Sequence, residues 1–390
     1  MIIAFWIGLL IIVYTYIGYG LLLYILVRLK RLFKSRVAFV ENHTDPSVSI
    51  LIAAYNEEYL IEDKIVNTLG LDYPKDRVQI IVVTDGSTDS TASKVRKYPD
   101  VLLLHQDQRA GKMAAIKRTI PYITGEILLF TDANTFLNPC AVKELVKHYQ
   151  NARVGAVAGE KRIIVEEAAD ASSAGEGFYW KYESFLKRLD YELYSNVGAA
   201  GELFSIRTEL YEPVEADTII DDHMIAMRIA EKGYIIAYEP NAFAIETASA
   251  NVKEELKRKI RIAAGGIQSI LRLKKAANPL IYPALTFQYL SHRVLRWTLT
   301  PILLPVIFIV NVIIVYKNNE SLYIVLLFAQ FAFYVLSLLG LYFERRNIRI
   351  KALFIPFYFC MMNYAVIAGI VRYFRNAQSA AWEKSARKLS

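Results

Sequence analysis

The chain has 390 residues, 54% of them hydrophobic, a formal charge of +8 and a mean hydropathy of +0.26. It has room for one ordinary globular domain and several membrane helices, and is too apolar for a wholly soluble protein. Two cysteines, Cys140 and Cys360, lie far apart and exclude a disulfide framework or a cysteine-based zinc site, which suits a reducing cytosol. The positive charge would suit nucleic acid or an anionic lipid surface; the placement of the basic residues favours lipid over nucleic acid.

In chain order, the apolar stretch 2–27 is about long enough to cross a bilayer, carries no basic n-region and is followed by no small-residue cleavage pattern. It reads as a retained anchor, residues 1–27. Arg28, Lys30, Arg31, Lys34 and Arg36 follow at once, which places the next domain in the cytosol and the N-terminus outside. Residues 45–277 mix charged, Gly and apolar residues as a soluble α/β domain would. Short Val, Ile and Leu runs at 48–54, 79–84, 101–104 and 127–130 alternate with helical spacing and predict parallel strands buried on both faces. After the fourth, Asn138 as cap and Pro139 at the first helical position predict a helix.

Residues 251–275 form a long helical pattern with Val252, Leu256, Ile260, Ala264, Ile267 and Leu271 on one face and basic residues elsewhere, an amphipathic helix for a lipid interface that also has reach to a pyrophosphate. In the remainder, 278–390, an interfacial segment leads to spans at 294–316 and 322–342, joined by a polar turn at Asn318 and Asn319 that faces outward. A third apolar segment, 352–371, has basic residues on both sides, Arg345, Arg346, Arg349 and Lys351 before and Arg372, Arg375, Lys384, Arg387 and Lys388 after. Two readings stay open: a re-entrant or interfacial helix interrupted at Pro356 or Asn363, or a further span that leaves the basic tail outside.

The polar residues with chemical capacity fall at the carboxyl ends of the predicted strands, where open α/β sheets bind ligands. Tyr55, Asn56, Glu57 and Glu58 leave the first strand; they offer a ring, an amide and carboxylates, or simply an Asn cap with acids near a helix dipole. Asp85-Gly86-Ser87-Thr88-Asp89 follows the second strand as a tight turn with capping residues. Asp132 and Asn134, two residues apart at a strand end, are oxygen donors able to hold Mg²⁺ or Mn²⁺ with positions left for phosphate, or else a polar turn. Arg109, Gly111 and Lys112 open a helix and could cradle phosphate or form a solvated basic turn. Asp221 and Asp222, after a Gly-rich passage around Gly201 and Glu202, form a pair in which mutual repulsion raises one pKa and suits it to act as a general base; a capped acidic first turn is the plainer reading. Of the five histidines only His223 lies beside candidate chemistry, with no second ligand at metal spacing.

In this order, over about residues 47–277, the motifs resemble membrane-integrated family 2 glycosyltransferases, the group that holds the catalytic subunits of cellulose, chitin, hyaluronan and poly-N-acetylglucosamine synthases. The resemblance implies an α/β GT-A (nucleotide-diphospho-sugar transferase) domain with a mostly parallel sheet. By it, Tyr55, Glu57 and Asp85 look like nucleoside-binding positions and Lys112 like a donor contact. Asp132 with Asn134 looks like the metal and diphosphate motif, and Asp222, beside Asp221, like the catalytic base. The segment 198–207, with Gly201 and Glu202, resembles the acceptor side, and Tyr179, Trp180 and Glu183 the helix before it; Trp382, Glu383 and Arg387 resemble a bacterial tail pattern. Two departures stand out: Asn134 replaces the second acid of Asp-x-Asp, and the processive motif Gln-x-x-Arg-Trp reads Arg258-Lys259-Ile260-Arg261-Ile262, keeping Arg261 and losing the aromatic ring. The implied function is inverting, Mg²⁺- or Mn²⁺-dependent transfer from a UDP-sugar or similar donor to a growing polysaccharide at the membrane, with Arg258 and Arg261 on the acceptor side. Single-sugar transfer to a lipid carrier or membrane-bound acceptor is the alternative, and a non-catalytic scaffold a further one. Implied partners are the nucleotide sugar, a glycan or lipid-linked acceptor, membrane lipids, and an oligomer or accessory subunit.

Overall fold

The computed structural model describes residues 1–33, 45–164, 171–247, 251–346, 348 and 350–377, with the backbone alone at 164 and 171–179. The tail residues Trp382, Glu383 and Arg387 and the Tyr179 side chain lie outside the described set.

The centre is an eight-stranded sheet of order β3-β2-β1-β4-β7-β6-β8-β5. Its strands are β1 (Val48–Ala54), β2 (Val78–Asp85), β3 (Val101–Gln106), β4 (Ile127–Asp132), β5 (Thr135–Leu137), β6 (Val154–Ile164), β7 (Phe204–Arg207) and β8 (Ile235–Thr247). The first four are parallel neighbours, β7 runs antiparallel between β4 and β6, and β8 is parallel to β6. All of β1 is buried, because helices cover both faces and alternate side chains enter two cores. Ile50, Ile52, Val82 and Leu129 point to one, and Leu51, Ala53, Ile81, Val83 and Leu128 to the other. The second core takes in Leu285 and Tyr289, so the soluble packing continues past residue 277.

The register sets Ala53 opposite both Val83 and Asp132. The carboxyl ends of β1, β2 and β4 therefore finish at one edge of the sheet, and the turns that follow them meet there.

Two local expectations change. The helix that follows β4 and the short β5 is Ala141–Val146, with Cys140 and not Asn138 at its N-cap. Asn138 then fastens β8: its side chain accepts from the Phe243 N–H at 2.7 Å and donates to the Asn241 carbonyl at 3.0 Å.

Among the described residues, four helices are long and apolar enough to cross a membrane by length and composition: Ile2–Phe33, Leu299–Asn318, Ser321–Arg345 and Lys351–Phe374. The second begins at Leu299 because Thr298 leaves helical geometry (φ −130°, ψ −85°), and Asn319 closes it in the left-handed region (φ 48°). Phe5 and Ile12 of the first pack on Ile307 and Ile314 of the second, while its Tyr19, Leu23 and Val27 pack on Leu186 and Leu189 of the Ala171–Leu193 helix.

Lys351–Phe374 continues unbroken through Pro356 and Asn363. It also occupies the face of the Val252–Arg272 helix that the sequence pattern offers to lipid. Val252 and Leu256 pack on Phe354, Phe357, Tyr358 and Met361, and only Leu271, 50% exposed, stays open at the far end. The two helices are in close contact at Gly369, where an added Cβ would stand 2.6 Å from Ala263 Cβ and 2.9 Å from the Ile260 carbonyl. Gly369→Leu therefore forces the pair apart, at a cost of about 1–3 kcal/mol by analogy with overpacked cores; thermal unfolding of the purified protein in detergent should show a lowered Tm.

Candidate active site

The turn after β1 is held to the turn after β2 by Asn56. This residue sits in the left-handed region (φ 53°), accepts from the Thr88 N–H at 2.9 Å and donates its own N–H to Ser87 Oγ at 3.1 Å. It is a clip between loops and not a helix cap, since the next helix starts at Ile61 after Leu60. Glu57 follows, buried, its N–H on Thr91 Oγ1 at 2.8 Å.

Asp85 ends β2 and accepts two backbone N–H groups, Ala110 at 3.0 Å and Gly111 at 2.6 Å. It thereby shapes the turn that opens the Lys112–Thr119 helix, where Gly111 has φ 95°. The Arg109 guanidinium lies 4.0 Å from the centroid of the Tyr55 ring, so Tyr55 is covered by the same turn.

That turn delivers Lys112 into a cluster of acids. Its Nζ is 3.3 Å from Asp132 Oδ1, at the end of β4, and 3.2 Å from Asp221 Oδ2, in the first turn of the Asp221–Ala230 helix. Gly201 marks the meeting point. A Cβ added there would lie 3.5 Å from Asp222 Oδ2, 3.6 Å from Asp132 Oδ2 and 3.8 Å from Lys112 Nζ.

Electrostatics follows from this crowding. Burial, then the charge of Asp221, push the Asp222 carboxyl up to about 7, against Lys112 and the hydrogen bond from the His223 N–H. Burial also raises Asp132, with Lys112 opposing. Lys112 itself would be lowered by burial, but Asp132, Asp221 and Asp222 outweigh that and hold its amine above the usual range.

These groups line one cavity of about 1240 Å³, together with Glu57, Asn134, Gly201, Glu202, Arg258 and Arg261. Of the residues singled out from sequence, Tyr55 and Asp85 do not line it. Glu202 and Arg258 are bound into an ion network with Lys161 and Glu246. Burial would raise Glu202, but Lys161 and Arg258 prevail and keep its carboxyl well below the usual range. Arg261 reaches the Ile219 carbonyl at 3.3 Å, beside the acidic pair. On the far side the cavity is walled by Trp180, Trp297 and, from Lys351–Phe374, Met362, Ala365 and Val366.

Sequence reasoning missed Lys161, Glu246 and Trp297. The ion network joins residues far apart in the chain, so no spacing announced it. Trp297 had a fainter sign, the Gly265-Gly266 pair, because its ring lies on Gly266, 2.7 Å from where a Cβ would be. His223 is confined between Tyr289 and Trp297, and burial pulls its imidazole down to about 3, in keeping with a neutral neighbour.

For a divalent ion the donor set fits in part. Asp132 and Asn134 give hard oxygens on the turn between β4 and β5, and an ammonium already sits against Asp132. Among the described residues no three His, Cys, Asp or Glu converge on a point. A small hard cation there would take its remaining ligands from water and a diphosphate.

A sheet whose parallel half ends in Asp85 and Asp132, with antiparallel β7 beside β4, is a GT-A-like fold. The comparisons agree. Residues 49–214 match the family Glycosyl transferase family 2. It is 26% identical over 236 residues to the poly-beta-1,6-N-acetyl-D-glucosamine synthase of Staphylococcus aureus (strain COL), covering 58% of this chain and 56% of that one. With the synthase of the same name from Staphylococcus epidermidis it shares 25% over 264 residues, covering 65% and 62%. The match thus spans little more than half the length of these curated relatives. In fold, it is similar to a mannosyltransferase from Pyrobaculum calidifontis, solved in complex with GDP-Man and Mn²⁺, at a TM-score of 0.72 and 24% identity over 96% of this chain and 100% of that one.

Gly201→Ala tests the meeting point. Its Cβ would make ordinary contacts, so Tm should hold, while the space between Asp132, Asp222 and Lys112 fills. Any transfer activity should fall by about 100-fold, as for reacting groups displaced by about 1 Å; parallel assays of turnover and unfolding check both halves.

Proposed function

We propose that this chain is an inverting glycosyltransferase, moving a sugar from a nucleoside diphosphate donor to an acceptor hydroxyl at the membrane. The observation that carries it is the convergence of Asp132, Asp222 and Lys112 on one point beside Gly201. Asp222 takes the acceptor proton, the freed oxygen attacks the anomeric carbon, and the bond to the diphosphate breaks from the opposite face with its electron pair. Lys112 lies where it can meet the charge growing on the leaving diphosphate. Mg²⁺ or Mn²⁺ bound by Asp132 and Asn134 would supply further electrostatic stabilisation of that group. Asp85, by shaping the 109–111 turn, and Tyr55, under Arg109, stand on the nucleoside side, with Glu57 between them and the cavity.

The acceptor side is Gly201, Glu202, Arg258 and Arg261, in a cytosolic domain with the N-terminus outside. A growing polysaccharide is the reading that the synthase relatives support. Two observations favour single addition to a lipid-linked or membrane-bound acceptor. Ile262 stands in the processive motif where an aromatic ring would be, and of the four candidate spans only Lys351–Phe374 contributes residues to the cavity wall. A polar cleft with Met362, Ala365 and Val366 on one side suits an amphiphilic acceptor better than a chain threaded between helices. The acids stay clustered around a cation, which a mere scaffold would have no need to keep.

The experiment incubates the purified protein with UDP- and GDP-sugars plus Mg²⁺ or Mn²⁺ and sizes the product. One lipid-soluble adduct supports single addition, a ladder supports a polymer, and no donor turnover at all returns the scaffold. Asp222→Asn should lower turnover by about 10² to 10⁴-fold with donor binding retained; turnover near wild type would sink the base assignment. The pH profile has a defined sign. Asp222 must be ionised to accept a proton, and its carboxyl is raised to about 7, so kcat/KM should climb as pH rises through about 7 and level off above it.

A further inference from the structure

We propose that Lys64 is a positioning residue for the turn that carries Asp132 and Asn134, joining the donor half of the cleft to the acceptor half. This rests on the reading of that turn as the metal and diphosphate site. Lys64 sits in the buried stripe of the Ile61–Leu69 helix, between Ile61, Ile65 and Thr68, and its side chain is fully buried. An apolar residue would satisfy such a stripe, and burying an amine there is unfavourable unless its protons are bonded. Violations of this kind mark places where function overrides packing.

The amine spans the turn. It donates to Thr131 Oγ1 at 2.9 Å and to the Thr135 carbonyl at 2.7 Å, the residues on either side of Asp132-Ala133-Asn134. Thr135 Oγ1 in turn donates to the Asp132 carbonyl at 3.0 Å. Thr131 Oγ1 donates to the Glu202 carbonyl at 3.0 Å, next to Gly201. One buried group thus holds both ends of the turn and, through Thr131, the segment that borders the reacting space. Lys64 does not line the cavity, so it acts through Asp132 and Asn134 and not on substrate.

The test measures Mn²⁺ binding by electron paramagnetic resonance on the full chain in nanodiscs, with UDP and separately with GDP, for wild type, Lys64→Met, Lys64→Gln, Thr131→Val and Asp132→Ala. Lys64→Met should remain folded and lose about 10- to 100-fold in Mn²⁺–nucleotide affinity, the range seen when groups supporting a metal ligand are removed. Lys64→Gln, which keeps an N–H donor, should recover part of that loss. If Lys64→Met fails to fold, Thr131→Val carries the test, because it removes the central acceptor at nearly constant size. Wild-type affinity in the folded variant overturns the proposal, as does a lowered Tm with affinity intact, which would make Lys64 a plain strut. Should Asp132→Ala also bind Mn²⁺ like wild type, the metal reading of the turn fails and the proposal with it. Loss in Asp132→Ala with none at Lys64 rejects the proposal alone.

Discussion

Ionised carboxylates crowded into a small, poorly solvated space are stabilised by a cation among them, and Lys112 fills that place here. Its ammonium bridges Asp132 and Asp221, two acids that belong to different elements and approach the cleft from different sides. At such distances in a medium of reduced dielectric, unscreened repulsion among the acids would amount to several kcal/mol. The lysine offsets part of it, yet at Asp222 burial and the neighbouring Asp221 outweigh its charge and push the carboxyl up to about 7. The same arrangement that lets the acids coexist thus leaves one of them suited to proton transfer.

The cluster depends on strand order. Because β1 lies between β2 and β4, the turns carrying Asn56, Asp85 and Asp132 end side by side, and Asp85 folds the 109–111 turn so that Lys112 points across β1 toward Asp132. Antiparallel β7, paired to β4 from Ile127↔Arg207 to Phe130↔Phe204, then brings Gly201 and Glu202 to the same edge. Tyr55 and Asp85 shape the cleft without lining its main cavity. Their part is the geometry of the turn that holds the cation.

The four parallel strands were legible because each is a continuous Val, Ile and Leu run, the pattern of a strand covered on both faces. Asp85 and Asp132 could be picked out because they stand at the ends of those runs, and Asp221 and Asp222 because they are paired. β5 to β8 escaped, for they are short, as in β5, or interrupted by Gly155, Gly159 and Pro240, and only partners distant in the chain make them strands. The ion network of Lys161, Glu202, Glu246 and Arg258 was hidden for the same reason: charged residues in sequence resemble solvated surface until folding buries them together. Asn138 had a helix-capping neighbourhood, yet the local preference gave way to a tertiary bond with β8, the ordinary limit of propensity arguments.

The Val252–Arg272 helix shows how one pattern can be read correctly and its partner misjudged. An apolar stripe opposite a basic face is what a lipid-interface helix needs, but a stripe cannot say what covers it. Small residues decide the matter: Ala263, Ala264 and Gly369 permit an approach close enough that lipid is replaced by the Lys351–Phe374 helix. With that face satisfied, the other side of the same helix is free to present Arg258, Lys259, Arg261 and Ile262 to the cavity. The helix is therefore packed on an apolar candidate span along one face and borders the charged cleft along the other. The same span also lines the cavity directly through Met362, Ala365 and Val366, so a change in how it sits bears on the cleft both through this helix and at the cavity wall itself.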